Sequence, residues 1–128
     1  MKHMMQGSLV LIAGMLGLVA VATAALAQNA QQCPMSGSPS DWGVNSFGYI
    51  TLNPGGSCLF SLSVRGEILN SNVSQRPSHG RLQRIDRASY VYTSRAGYSG
   101  SDTFSVRATG KGPNGSGTSI ITINATLQ

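Results

Sequence analysis

Apolar and polar positions alternate with a period of two along most of the chain beyond residue 45, the signature of strands with one buried face. The run from Cys58 to Val64 shows it most cleanly: Cys58, Phe60, Leu62 and Val64 point one way, and Leu59, Ser61 and Ser63 the other. Two further runs flank a loop rich in Gly and Ser. Tyr90 and Tyr92 share a face before it, and Phe104, Val106 and Ala108 share one after it. The loop, Gly97-Tyr98-Ser99-Gly100, lets the chain bend sharply while Tyr98 folds over the end of the core, so this stretch is expected to cross from one sheet to another.

The same pattern predicts shorter elements around that centre. Phe47 to Leu52 alternates and ends at Asn53-Pro54-Gly55-Gly56, a turn signal. Arg65-Gly66 leads into a weaker strand from Glu67 to Gln75 carrying Ile68 and Val73, and Pro77-Ser78-His79-Gly80 turns the chain again. Arg81 to Ile85 and Ala88 to Thr93 form a hairpin about Asp86-Arg87. Thr109 to Gly117 reads as a flexible hairpin loop, and Thr118 to Leu127 as a last strand with Ile121, Ile123, Ala125 and Leu127 on one face. About seven antiparallel strands with no helical period predict an all-β, immunoglobulin-like β-sandwich.

The first part of the chain has a different character. Lys2 precedes an apolar run from Leu9 to Ala25, and Ala25-Leu26-Ala27 supplies the small residues of a cleavage site. Residues 1–27 are therefore expected to be a helical signal peptide, and the alternative is an uncleaved membrane anchor. Cleavage leaves about 100 residues, enough for one modest two-layer core. Residues 28–46, rich in Gln, Ser, Gly and Pro, read as an irregular arm plugged into the body by Trp42, and residues 47–128 as the sandwich domain. Cys33 and Cys58 are the only cysteines, and in an exported chain they are expected to form a disulfide joining the arm to the first core strand.

The order Pro77-Ser78-His79-Gly80, Tyr90-Val91-Tyr92 and Gly97-Tyr98-Ser99-Gly100-Ser101-Asp102-Thr103-Phe104, closed by an Ile-rich strand, resembles the repeat unit of bacterial immunoglobulin-like and cadherin-like domains. The likeness runs from about Gly55 to Leu127. It implies a non-catalytic module, usually arrayed in tandem on surface or secreted proteins, that spaces, adheres or binds ligand. This chain has a single unit, a tethered amino-terminal arm, and Thr109-Gly110-Lys111 where many relatives have an acidic Asp-Gly turn, so neither a spacer role nor calcium binding follows.

Candidate chemistry is sparse. Gly110 to Gly115 matches a phosphate-loop spacing by letter, but β-branched residues follow it instead of a helix. His79 is the one histidine outside the leader and cannot build a metal site with two bonded cysteines, so no metal and no cofactor are expected. Gly97-Tyr98-Ser99-Gly100 lacks the second glycine of a nucleophile elbow, and no catalytic group is assigned. Asp102, just before Phe104, is expected to accept backbone N–H groups at a bend.

Charge supplies the best functional lead. Lys and Arg number 9 against 4 acidic residues, and Arg76, Arg81, Arg84, Arg87 and Arg95 fall in a segment whose only acid is Asp86. On one face they would attract an anionic polysaccharide, lipopolysaccharide phosphate or nucleic acid, the bland reading being a solvated face, and the partner expected is an envelope polysaccharide or a protein. Without interleaved aromatics nucleic acid is not expected, nor is a membrane contact after cleavage. The expectation is a non-enzymatic exported module, in the periplasm or outside the cell, for binding, adhesion or assembly. Two alternatives stand beside it: a free-standing anion binder acting through the arginines, and a pilin-like subunit exchanging strands through an unpaired edge.

Overall fold

The computed structural model describes residues 30–128, and the expected leader at residues 1–27 lies outside the described residues. Eight strands follow in order: β1 Gln31–Gln32, β2 Ser46–Leu52, β3 Ser57–Ser61, β4 Glu67–Gln75, β5 Gly80–Arg84, β6 Ser89–Ser94, β7 Gly100–Gly112 and β8 Gly115–Leu127. They form two four-stranded sheets, ordered β1-β3-β6-β5 and β2-β8-β7-β4, packed face to face as a sandwich. The step from β6 to β7 crosses between the sheets where Gly97 and Gly100 adopt φ of 82° and 133°, values a side chain would resist.

The core is built by the alternation that defines the strands. Phe60, Tyr90 and Tyr92 from one sheet meet Phe104, Val106, Ile121 and Ile123 from the other, all buried. The rings touch in a chain: Phe60 lies 6.1 Å from Tyr90 and 6.0 Å from Phe104, and Tyr92 stacks on Phe104 at 4.8 Å. Each such pair adds about 0.5–1.5 kcal/mol beyond the area it hides. In β4 both Ile68 and Val73 turn towards the core although an odd separation divides them. A register shift between Ile68 and Asn70 reverses the parity and lets one strand bury both ends.

The sheets are mixed, not wholly antiparallel as expected. β2 runs parallel to β8, from Ser46 opposite Ile121 to Leu52 opposite Leu127, and β1 runs parallel to β3. Parallel neighbours need a long connection, and almost the whole domain serves as the crossover between β2 and β8.

Two further expectations change. The arm expected over residues 28–46, described from Ala30 onwards, is stitched to the body at several points. Gln31 pairs with Cys58, the Cys33 N–H donates to the Leu59 carbonyl at 2.9 Å, Ser36 bridges Tyr49, and Ser40 bridges Val64. Nor is Thr109 to Gly117 a loose loop: the β7–β8 ladder continues to Gly112 opposite Gly115, leaving Pro113 and Asn114 as the turn. Gly110 and Gly112 are there for room. A Cβ on Gly110 would collide with the Trp42 ring and the Glu67 carbonyl, and one on Gly112 with the Arg65 carbonyl. Trp42 thus plugs the body as the sequence suggested, seated over bare backbone.

The Cys33–Cys58 disulfide is formed, between half-cystines 25 residues apart, and it indicates an oxidising compartment outside the cytoplasm. Closing a loop of that length stabilises a fold by roughly 3–4 kcal/mol on the chain-entropy view. Urea unfolding of a Cys33→Ala, Cys58→Ala protein is therefore expected to show about 3 kcal/mol less stability than the oxidised form; an unchanged midpoint would mean that the backbone bonds of the arm hold it unaided.

Candidate functional site

One buried carboxylate assembles the end of the sandwich at which the candidate residues meet. Asp102 opens the inward face of β7 and is 4% exposed. Its Oδ1 accepts the Ser78 and Thr103 N–H groups, both at 3.0 Å, and its Oδ2 accepts the His79 N–H at 3.0 Å and the Tyr92 hydroxyl at 2.7 Å. A single side chain thereby fastens the turn before β5 to both β6 and β7. The sequence placed Asp102 as an acceptor at its own bend, where it takes the Thr103 N–H; two of its four bonds go instead to a turn more than twenty residues upstream.

The rest of the resemblance-bearing residues close around this point. Gly80 passes so near β6 that a Cβ would strike the Thr93 carbonyl and the Tyr92 ring. The His79 ring lies flat on Tyr98, centroids 3.8 Å apart and 3° between planes, and the Tyr98 hydroxyl donates to the Ser101 carbonyl at 2.8 Å. The Arg95 N–H donates to the His79 carbonyl at 2.8 Å, so the far end of β6 is clasped to the same turn. Tyr90 anchors the opposite end of its strand, its hydroxyl 2.8 Å from Ser71 Oγ, which donates to the Arg87 carbonyl at 2.7 Å.

On this frame the five arginines separate. Arg76 and Arg81 line a groove of about 510 Å3 with Pro77, Gln83 and Thr93, floored by Val91. Arg81 and Arg95 line an adjoining one of about 290 Å3 over Gly80 and Ser94. Arg84 lies beyond both grooves, towards the opposite end of β5, and Arg87 is in the β5–β6 turn. All five are exposed. The ion pairs among the described residues are Arg65 with Asp41 and Lys111 with Glu67, so the five have no acidic partner. Three of them converge and two do not.

Other chemistry is committed elsewhere. The Asp102 carboxylate bonds the backbone of His79 and not its ring. Cys33 and Cys58 are joined to each other. Among the described residues no three His, Cys, Asp or Glu side chains come together as a metal site would require. The exposed aromatics that the alternation left unremarked, Phe47 and Tyr49, project from β2 in the other sheet, away from the arginines. Their signal was present in the sequence, since Ile50 and Leu52 on the opposite parity had to be the buried set.

No protein-family model matches the chain, and a search of the curated proteins finds no match.

The carboxylate knot makes two measurable differences. Asp102→Ala leaves the buried Tyr92 hydroxyl and two turn N–H groups without an acceptor, and is expected to cost about 3–5 kcal/mol, against about 1.5–2 kcal/mol for Tyr92→Phe, which removes only one donor. Equal losses in thermal or urea unfolding would contradict the shared-acceptor geometry. Burial, and then the hydrogen bond to Asp102, raise the Tyr92 phenol well above its ordinary value of about 10. Because the unfolded chain ionises first, this contribution is complete below about pH 10 and declines as the pH climbs further. Urea midpoints followed through that range should fall more steeply for the native protein than for Tyr92→Phe.

Proposed function

We propose that this protein is an exported, non-catalytic immunoglobulin-like module that binds an anionic ligand at the β5 end of the β1-β3-β6-β5 sheet. The observation behind this reading is the convergence of Arg76, Arg81 and Arg95, none paired with an acid among the described residues, around two adjoining grooves. Guanidinium groups are suited to carboxylate, sulfate and phosphate because their donors match two oxygens at once. The turn that carries them is held by Asp102, so the approach of a ligand need not order it first, which favours affinity. An anionic polymer of the cell envelope, or an acidic segment of a protein there, has the required chemistry, and the disulfide is consistent with that address. The gathering of Pro77, His79, Gly80, Tyr98 and Asp102 into one knot supports the likeness to bacterial immunoglobulin-like units.

Non-catalytic binding is favoured because the Asp102 carboxylate is engaged by four donors and meets the backbone of His79 instead of its ring, while the two sulfurs are joined to each other. Single-stranded nucleic acid is disfavoured because, among the described residues, the exposed rings of Phe47 and Tyr49 lie on the other sheet and the half-buried Tyr98 near Arg95 is already stacked on His79.

Retention on immobilised dextran sulfate tests the reading. Native protein is expected to bind at low salt and to be released steeply as salt rises, because surface charges are screened. Arg76→Gln, Arg81→Gln and Arg95→Gln combined should abolish retention, while Arg84→Gln with Arg87→Gln should leave most of it. Loss that merely tracks the number of charges removed, whichever arginines are changed, would sink the site and leave only a basic surface.

A further inference from the structure

Among the described residues the two sheets have four edges, and three of them are very short, partly covered or bulged. β1 is two residues long. The outer side of β2 is taken by Ser36, which exchanges backbone bonds with Tyr49 at 3.1 and 3.0 Å. β4 is interrupted by two register shifts, at Ile68/Asn70 and Val73/Gln75. Short strands, covering segments and bulges are the devices by which sheet edges avoid unwanted pairing. β5 is neither covered nor bulged, and its protection is the positive charge of Arg81 and Arg84: it runs in unbroken register with β6 from Gly80 opposite Ser94 to Arg84 opposite Tyr90.

The direction of its free bonds follows from the ladder. The Ile85 N–H donates to the Ser89 carbonyl at 2.9 Å, and the Arg95 N–H to the His79 carbonyl at 2.8 Å. Bonded and non-bonded pairs alternate along an antiparallel ladder, so the odd-numbered residues of β5 face β6. The N–H and C=O groups of Gly80, Leu82 and Arg84 therefore point outwards, and none has a partner among the described residues. Beside them lies the groove walled by Arg76 and Pro77, with Arg81 and Gln83 along it.

We infer that the β5 edge accepts an extended acidic segment of a partner protein as an added strand. This rests on the anion-binding reading and narrows it. The backbone groups of Gly80, Leu82 and Arg84 would supply the pairing, and alternate acidic side chains of the added strand would fall beside Arg76 and Arg81. Charge selects the occupant. A second copy of this chain would bring its own unpaired arginines against these, which repels, whereas a carboxylate-bearing strand neutralises them. A polysaccharide answers the charges, but its hydroxyls do not repeat a donor and an acceptor at the two-residue spacing of this edge, as a strand's backbone does.

The test uses a synthetic peptide of alternating glutamate and valine, and a twin methylated on alternate backbone nitrogens so that charge is kept and pairing lost. Titrated into native protein, the first is expected to bind at least roughly ten-fold more tightly than the second, since several backbone bonds go with the methylation. Arg84→Pro removes one outward N–H at an exposed edge position, where proline is tolerated. It should weaken the unmethylated peptide several-fold beyond Arg84→Gln, with dextran sulfate retention unchanged in both variants. Should Arg84→Pro fail to fold, the peptide pair on native protein decides alone. Equal affinity for both peptides, or arginine-dependent retention of dextran sulfate with no peptide binding, would overturn strand addition while sparing the anion site. Absence of binding by every probe would remove both. Dimerisation of the peptide-free protein in light scattering, lost in Arg84→Pro but not in Arg84→Gln, would assign the edge to a second copy instead.

Discussion

The whole arginine-bearing end of this molecule depends on a carboxylate removed from water. Hiding an acidic group is costly unless its oxygens are fully engaged, and Asp102 meets that condition with three backbone N–H groups and one phenol. The donors come from different parts of the chain, so satisfying the carboxylate forces the turn at Ser78 and His79, the middle of β6 and the start of β7 into one arrangement. Hydrophobic burial alone would bring the two sheets together without specifying this junction. The polar knot does so, and the aromatic stack of Tyr92 on Phe104 continues the same contact into the core.

The charged surface follows from that junction. Arg76 and Arg81 sit on either side of the pinned turn, and Arg95 is drawn in by the backbone bond from its own N–H to His79. Their convergence is thus a consequence of backbone geometry rather than of attraction between side chains, which for like charges is repulsive. Keeping three guanidinium groups close without a counter-charge lowers stability slightly, by an amount that salt would reduce. Such an arrangement persists more readily when the scaffold beneath is rigid.

Much of this fold was legible from alternation, and the misses have definite causes. The bounds of Glu67–Gln75, the shared faces of Tyr90 with Tyr92 and of Phe104 with Val106, and the crossing between sheets all follow from which residues must leave water. Parallel pairing of β2 with β8 leaves no mark in either strand, because orientation depends on where a distant partner lies. β1 has no alternation at all, and its place is dictated by the neighbouring disulfide at Cys33. The glycines from Gly110 to Gly117 look like flexibility in one dimension, yet two of them are gaps into which Trp42 and the backbone of Arg65 and Glu67 fit. For the arginines, spacing along the chain could not tell which of five would share a groove; that required knowing that Arg87 sits in the turn at one end of the hairpin and Arg76 precedes the other.

The parallel ladder also fixes a timetable. β8 lies between β2 and β7 in its sheet, and its Ile121, Ile123 and Leu127 occupy the centre of the core. β2, made early, has no neighbour in that sheet until β8 exists, and strand pairing across so long a separation is entropically slow. A chain emerging vectorially from a ribosome or a translocation channel thus stays unsealed until the β8 residues arrive, whereas the local hairpin of β5 and β6 can zip beforehand. Sealing of this sheet waits on β8, and an interval in which Ile50 is still wet precedes it.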